Sequence, residues 1–165
     1  MPTSSNPQSN LPPCGLYKTL TEISVQEGKL NADLLVSFHN HSDQGLPIIL
    51  LPEKNEHNRW IFQKKGYLLK NQNWARILEP LKQEGLYRCS ERFSTNESEV
   101  VAENTLVQLG YTAKAEPILF FPVPLEGQNG FQFSEKGIKI PEKIYALLEP
   151  LNTHGPFKPK EELRH

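Results

Sequence analysis

Short apolar runs, separated by polar stretches rich in turn-forming residues, dominate the chain. Leu34-Leu35-Val36-Ser37-Phe38 and Thr105-Leu106-Val107-Gln108-Leu109 mix leucine with β-branched and aromatic residues, which predicts strands. Each leads into a polar stretch, 40–45 and 110–116, and then into an apolar segment framed by prolines, 47–52 and 117–122. This pattern predicts a β-hairpin with a loop of about six residues. Trp60 and Phe62, followed by Tyr67 and Leu69, predict a second hairpin around Lys64-Lys65-Gly66, with Gly66 suited to a positive φ. Phe131, Phe133, Ile138 and Ile140 repeat that pattern about Gly137. Residues 74–81 and 144–151 space their apolar positions helically. Pro80 and Pro150 should cut them to short helices or 3₁₀ turns.

These elements occur twice. Gly15-Leu16-Tyr17-Lys18 returns 70 residues later as Gly85-Leu86-Tyr87-Arg88, and more loosely as Gly155-Pro156-Phe157-Lys158. Ile77-Leu78-Glu79-Pro80-Leu81 matches Leu147-Leu148-Glu149-Pro150-Leu151 at the same offset. Residues 15–84 share 14 identities with the segment 70 positions on, against roughly four expected by chance, which reads as a tandem duplication. The expected architecture is mainly β: two pseudo-repeats of about 70 residues, at 14–84 and 85–157, each a small barrel or roll with a short helical turn. The strand order resembles the SH3-like barrel plan, and the third Gly-x-aromatic-basic segment suggests edge strands shared between the lobes. Residues 1–13 and 158–165 read as disordered tails.

Composition narrows the function classes. Lys and Arg number 18 against 19 Asp and Glu, a balance that argues against nucleic acid or an anionic membrane as a charge-driven partner. No apolar run approaches the roughly 20 residues of a membrane helix. The first residues show neither a basic start nor an apolar core, so no secretory signal is expected and the cytoplasm is the expected compartment. Cys14 and Cys89 are then two free thiols, with no C-x-x-C pair.

Residues retained in both copies, such as Gly85, Tyr87, Pro117, Phe133, Gly137 and Pro150, are assigned to the fold. Candidate binding residues lie where the copies differ: His39, Asn40, His41 and Asp43, with His57 and Arg59 nearby. On a strand, His39 and His41 would project to the same side about 7 Å apart. They could share a divalent metal, the one cofactor considered, with Asp43 or His57 as a third ligand. A hydrated hairpin tip is the plainer reading of the same residues. The His-Asn-His resembles the H-x-H of JAMM-type metallopeptidases and of cupins. The Ser-x-x-Asp continuation of the first and the following Glu of the second are missing, so neither family is assigned. No nucleophile elbow, phosphate loop or dinucleotide fingerprint is present. The expected function is a non-enzymatic binding or adaptor protein that meets a protein partner through hairpin loops. A small metal enzyme using His39 and His41 is the alternative, and a nucleic-acid-binding β-barrel the third.

Overall fold

The computed structural model describes residues 11–69, 77–95 and 98–151. The fold is mainly β, built from small antiparallel sheets, and among the described residues no helix is long and apolar enough to cross a membrane. The first sheet takes β1 (Gly15–Thr19), β4 (Leu35–His39), β5 (Ile48–Leu50), β8 (Tyr67–Leu68) and β9 (Leu78–Pro80), in the order β8-β5-β4-β1-β9. Two hairpins branch from it, β2 (Ile23–Val25) with β3 (Gly28–Leu30), and β6 (Pro52–Glu56) with β7 (Arg59–Phe62). The second sheet takes β10 (Gly85–Cys89), β13 (Leu106–Tyr111), β14 (Pro117–Phe120), β17 (Ile138–Lys139) and β18 (Leu148–Pro150), in the order β17-β14-β13-β10-β18. Its hairpins are β11 (Phe93–Ser94) with β12 (Val100–Val101), and β15 (Pro122–Pro124) with β16 (Phe131–Phe133). One helical turn, α1 (Glu142–Tyr145), precedes β18.

Alternation of side chains gives each sheet an inner face. Tyr17, Val36, Phe38 and Ile49 close over Ile23, Val25 and Leu30 from the β2–β3 hairpin. Tyr87, Val107, Leu109 and Leu119 close over Phe93, Val101 and Ile144. Each such aliphatic or aromatic side chain removed from water stabilises the fold by roughly 1.5–3 kcal/mol. Thr19 is buried too, and its hydroxyl is satisfied by donating to Asn31 O and accepting from the Leu34 N–H, both at 2.9 Å.

Several expectations need correction. Neither five-stranded sheet closes, so barrels are replaced by open sheets with attached hairpins. Trp60 and Phe62 pair with β6, across a tight turn whose residues His57 and Asn58 hold φ of 51° and 65°, while Tyr67 pairs with Ile49. Alternation alone names a strand but not its neighbour. Gly66 is not among the positive-φ residues; it is required by close approach instead, because a Cβ there would lie 2.6 Å from Ile49 O. Of the expected helical turns, 144–145 belong to α1 and 74–76 lie outside the described residues, while Leu-Glu-Pro is an edge strand in both places. Proline is tolerated there because its missing N–H faces away from the ladder. Gly110 and Tyr111 belong to β13, which shortens the second turn to 112–116. β1 lies between β4 and β9, and β10 between β13 and β18, so each is an inner strand of its own sheet and neither is an edge strand lent to the other lobe. Of the expected tails, 11–13 are described, with Pro13 O accepting from the Tyr17 hydroxyl at 2.7 Å. Residues 1–10, the tail 158–165 and Phe157 lie outside the described residues.

Candidate functional site

A cleft of about 460 Å³ opens between the outer face of the first sheet and the β6–β7 hairpin. Cys14, Ser37 and His39 line one side; Arg59, Trp60 and Phe62 the other; Gln83 and Glu84 run along its floor. The alternation that turns Val36 and Phe38 inward places Ser37 and His39 outward. There the His39 Nε2 lies 3.3 Å from the Ser37 hydroxyl.

Glu84 is the chemically unusual group. The Trp60 backbone N–H donates to its carboxylate, at 3.2 and 3.3 Å from the two oxygens, and Arg59 donates to its carbonyl at 3.4 Å. Burial lifts the carboxyl to about 7, although the Trp60 N–H and the Arg59 charge both pull it down. Folded Glu84 therefore holds its proton between its ordinary value and about 7, a range in which the unfolded chain has already lost it. The associated stability is full at low pH and is lost as pH rises through 7. Allowing for partial exposure, we expect roughly 1–2 kcal/mol to disappear between about pH 5 and pH 8. Urea midpoints at the two pH values measure it, and a Glu84→Gln chain should show a flatter dependence.

Behind the cleft, a knot of tyrosines ties the 81–84 connection to the second sheet. The Tyr111 hydroxyl donates to Lys82 O at 2.7 Å, and the Tyr145 hydroxyl accepts from the Lys82 N–H at 2.6 Å. With Tyr111 already donating, Tyr145 supplies the proton in their 2.9 Å contact. Burial, then the Tyr145 hydrogen bond, push Tyr111 far above the ordinary tyrosine value, so its hydroxyl serves as a fixed donor rather than an acid. Trp60 joins the same junction by donating from Nε1 to Tyr111 O at 2.7 Å.

The six residues singled out from the sequence do not converge. His39 and Arg59 line this cleft, and Asn40 sits at its rim, its N–H reaching the Cys14 Sγ at 3.4 Å. His41 lies beyond the end of β4, so the two-residue alternation that would align it with His39 does not extend to it. Its Nδ1 contacts Asn40 Oδ1 at 2.8 Å. Asp43 lines a separate cleft with Lys64 and Lys65. His57 stands at the β6–β7 tip, in a third cleft with Asn58, Gln108 and Phe133. Among the described residues, no three His, Cys, Asp or Glu side chains come together as a metal site. Trp60 reads in the sequence only as part of a hairpin, and Glu84 and Tyr111 carry no site signal there. An acid directly before an apolar strand, in Gln83-Glu84-Gly85-Leu86, was the only local hint of Glu84. The cleft thus combines aromatic surface with a carboxyl that burial has shifted upward. Compared with known proteins, the chain matches no family model, no curated protein and no solved structure.

Proposed function

We propose that the chain is a duplicated β unit, 14–84 and 85–157, acting as a non-enzymatic module that holds a protein partner through its exposed turns and hairpins. The observation that carries this reading is strand register. Tyr17 stands opposite Val36 and Pro80, and Tyr87 opposite Val107 and Pro150. Further support comes from the turn after the second long strand of each unit. Ser42 O accepts from the Gly45 N–H at 2.8 Å, and Thr112 O from the Ala115 N–H at 2.9 Å. The Ser42 and Thr112 hydroxyls each accept from the N–H two residues on, at 3.3 Å. Gly45 and Ala115 both hold positive φ, at 77° and 61°. Glycines 66 and 137 are both pressed against backbone carbonyls, those of Ile49 and Leu119.

The binding part rests on exposed apolar residues, Leu46 in a turn and Val123 and Phe131 on the β15–β16 hairpin. A cytoplasmic setting belongs to the same proposal, supported by the free, exposed Cys14. A photo-crosslinking residue at position 46 or 131, in cells of the source organism, should give a discrete protein adduct, and one at the exposed Glu103 should not. Equal labelling from all three positions, or none, would remove the reading.

A further inference from the structure

We infer that the outer face of the second sheet is a socket for a second copy of this chain, whose turn at 41–46 seats in it head to tail. The inference rests on the tandem reading above and names the partner.

The molecule already contains one such junction. The outer face of the first sheet carries Leu16 and Leu35, and both are buried: they belong to the second unit's core cluster, with Tyr111 and Ala115. The second unit's turn is what seats there. Ala113 O accepts from the Leu35 N–H at 2.9 Å, and Trp60 reaches over to Tyr111 O at 2.7 Å.

In the second unit the corresponding positions are more open, Leu106 half-buried and Leu86 and Phe131 exposed, beside Gln108, which the chain's own β6–β7 tip covers. Register aligns Leu86 with Leu16, Leu106 with Leu35 and Phe131 with Trp60. Leu16 is 6 % exposed, Leu86 41 % and Phe131 51 %. The first unit's own turn is equally unused: it shares two of the internal hydrogen bonds of 112–116, those to the Ser42 and Thr112 carbonyls and hydroxyls, yet Gly45, in the place of buried Ala115, meets nothing within 4 Å of its Cβ position. One chain thus closes one plug into one socket and presents one more of each. Because plug and socket lie on different units, the contact between copies is heterologous and propagates from copy to copy. In it the Asp43 carbonyl takes the part of Ala113, accepting from the Leu106 N–H, and Gly45 the part of Ala115.

One element of the internal junction cannot be copied. The β6–β7 tip lies on the second sheet, where Asn58 donates to Gln108 Oε1 at 2.9 Å and its carbonyl would stand 3.0 Å from a Cβ on Gly110. His39 occupies the Gly110 position in the first sheet, so it fills the space such a tip would need. The contact between copies therefore keeps the turn and loses the tip, and it is weaker and reversible.

The test uses two full-length variants and their mixture. Leu86→Asp spoils the socket at an exposed position. Gly45→Asp spoils the plug, with aspartate tolerating positive φ and open space around it in the monomer. At about 100 µM, enough to populate a contact with a Kd of about 10 µM, sedimentation should give the wild type at least twice the 18.8 kDa chain mass. Each variant alone should sediment as a monomer with an unchanged circular dichroism spectrum. Their equimolar mixture should form dimers and nothing larger, since only one intact plug and one intact socket remain. Gly45→Ala, which reproduces Ala115, should associate like the wild type. A monomeric wild type overturns the inference, whether the socket is filled by the chain's own residues 152–165 or by another protein. So does a mixture that stays monomeric, or a Leu86→Asp chain that associates unchanged. If the wild type is monomeric but the adducts at 46 and 131 persist with a different protein, the binding reading survives and only the second copy fails.

Discussion

Truncating Phe38 to alanine is expected to lower the stability of the fold by about 3–5 kcal/mol. Phe38 is fully buried in β4, with its ring edge-on to Tyr17 at 5.7 Å between centroids and an interplanar angle of 74°. Deleting it removes the transfer energy of an aromatic side chain and opens a cavity. Gly15 and Ile49, which flank it across the ladder, are too constrained by strand pairing to fill that cavity. Small domains hold only about 5–15 kcal/mol in total, so this one change takes up a large share. Urea unfolding followed by tyrosine and tryptophan fluorescence reads the loss as a fall in midpoint with an unchanged slope. A loss below about 1 kcal/mol would mean that the two faces of β4 had been assigned the wrong way round.

Adding one methyl group at Gly66 or Gly137 is expected to cost about 2–4 kcal/mol at either site. At Gly66 the new Cβ would stand 2.6 Å from Ile49 O and 2.7 Å from the Ile48 side chain. At Gly137 it would stand 2.8 Å from Leu119 O and overlap the Ile118 side chain. A carbonyl inside a ladder cannot retreat without breaking the hydrogen bonds of two strands, so the strain has no soft outlet. Gly127→Ala is the control. Its φ of 68° strains any other residue but nothing lies within 4 Å, so its cost should stay near the ~1 kcal/mol of a left-handed alanine. Equal losses at 66 and 137, both well above that at 127, are the expected pattern. Equal losses at all three would mean that close approach contributes nothing beyond backbone conformation.

The glycines also show what could and could not be seen in the sequence. Their recurrence in step with neighbouring aromatics marked them as fold residues, but the reason given, a turn needing positive φ, was not the right one. Whether a glycine is needed for its φ or for its missing Cβ depends on what lies above it, and the carbonyls concerned belong to strands 17 to 18 residues earlier. Long apolar strands such as Leu35–His39 were legible because burial on one face imposes alternation. The Leu-Glu-Pro strands were not, because proline at a strand edge and proline ending a helical turn look alike without the partner strand. The site suffered most. His39, Arg59 and Glu84 meet only because the β6–β7 hairpin folds back over β1 and β4, a placement fixed by Trp60 and Asn58 gripping the second sheet. Alternation aligns His41 with His39 only in a strand that runs past His39, where β4 ends.

The edge strands β9 and β18 carry a consequence for how the chain reaches this state. Both read Leu-Glu-Pro, and both dock in the same register on a Gly-Leu-Tyr strand, β1 or β10. During refolding the backbone and the inner leucine of either tripeptide fit either acceptor. The charges do not discriminate either: each tripeptide brings one glutamate, opposite Lys18 or Arg88, and the ion pairs at the ladder, Arg88 with Glu149 and Lys18 with Asp33, are at least partly exposed to water. Interchange, with β18 captured by β1 before Leu78–Pro80 has docked, is thus a kinetic competitor of correct folding. Synthesis from the N-terminus suppresses it, since β9 is available to β1 well before β18 exists. Refolding of the complete chain from denaturant has no such protection.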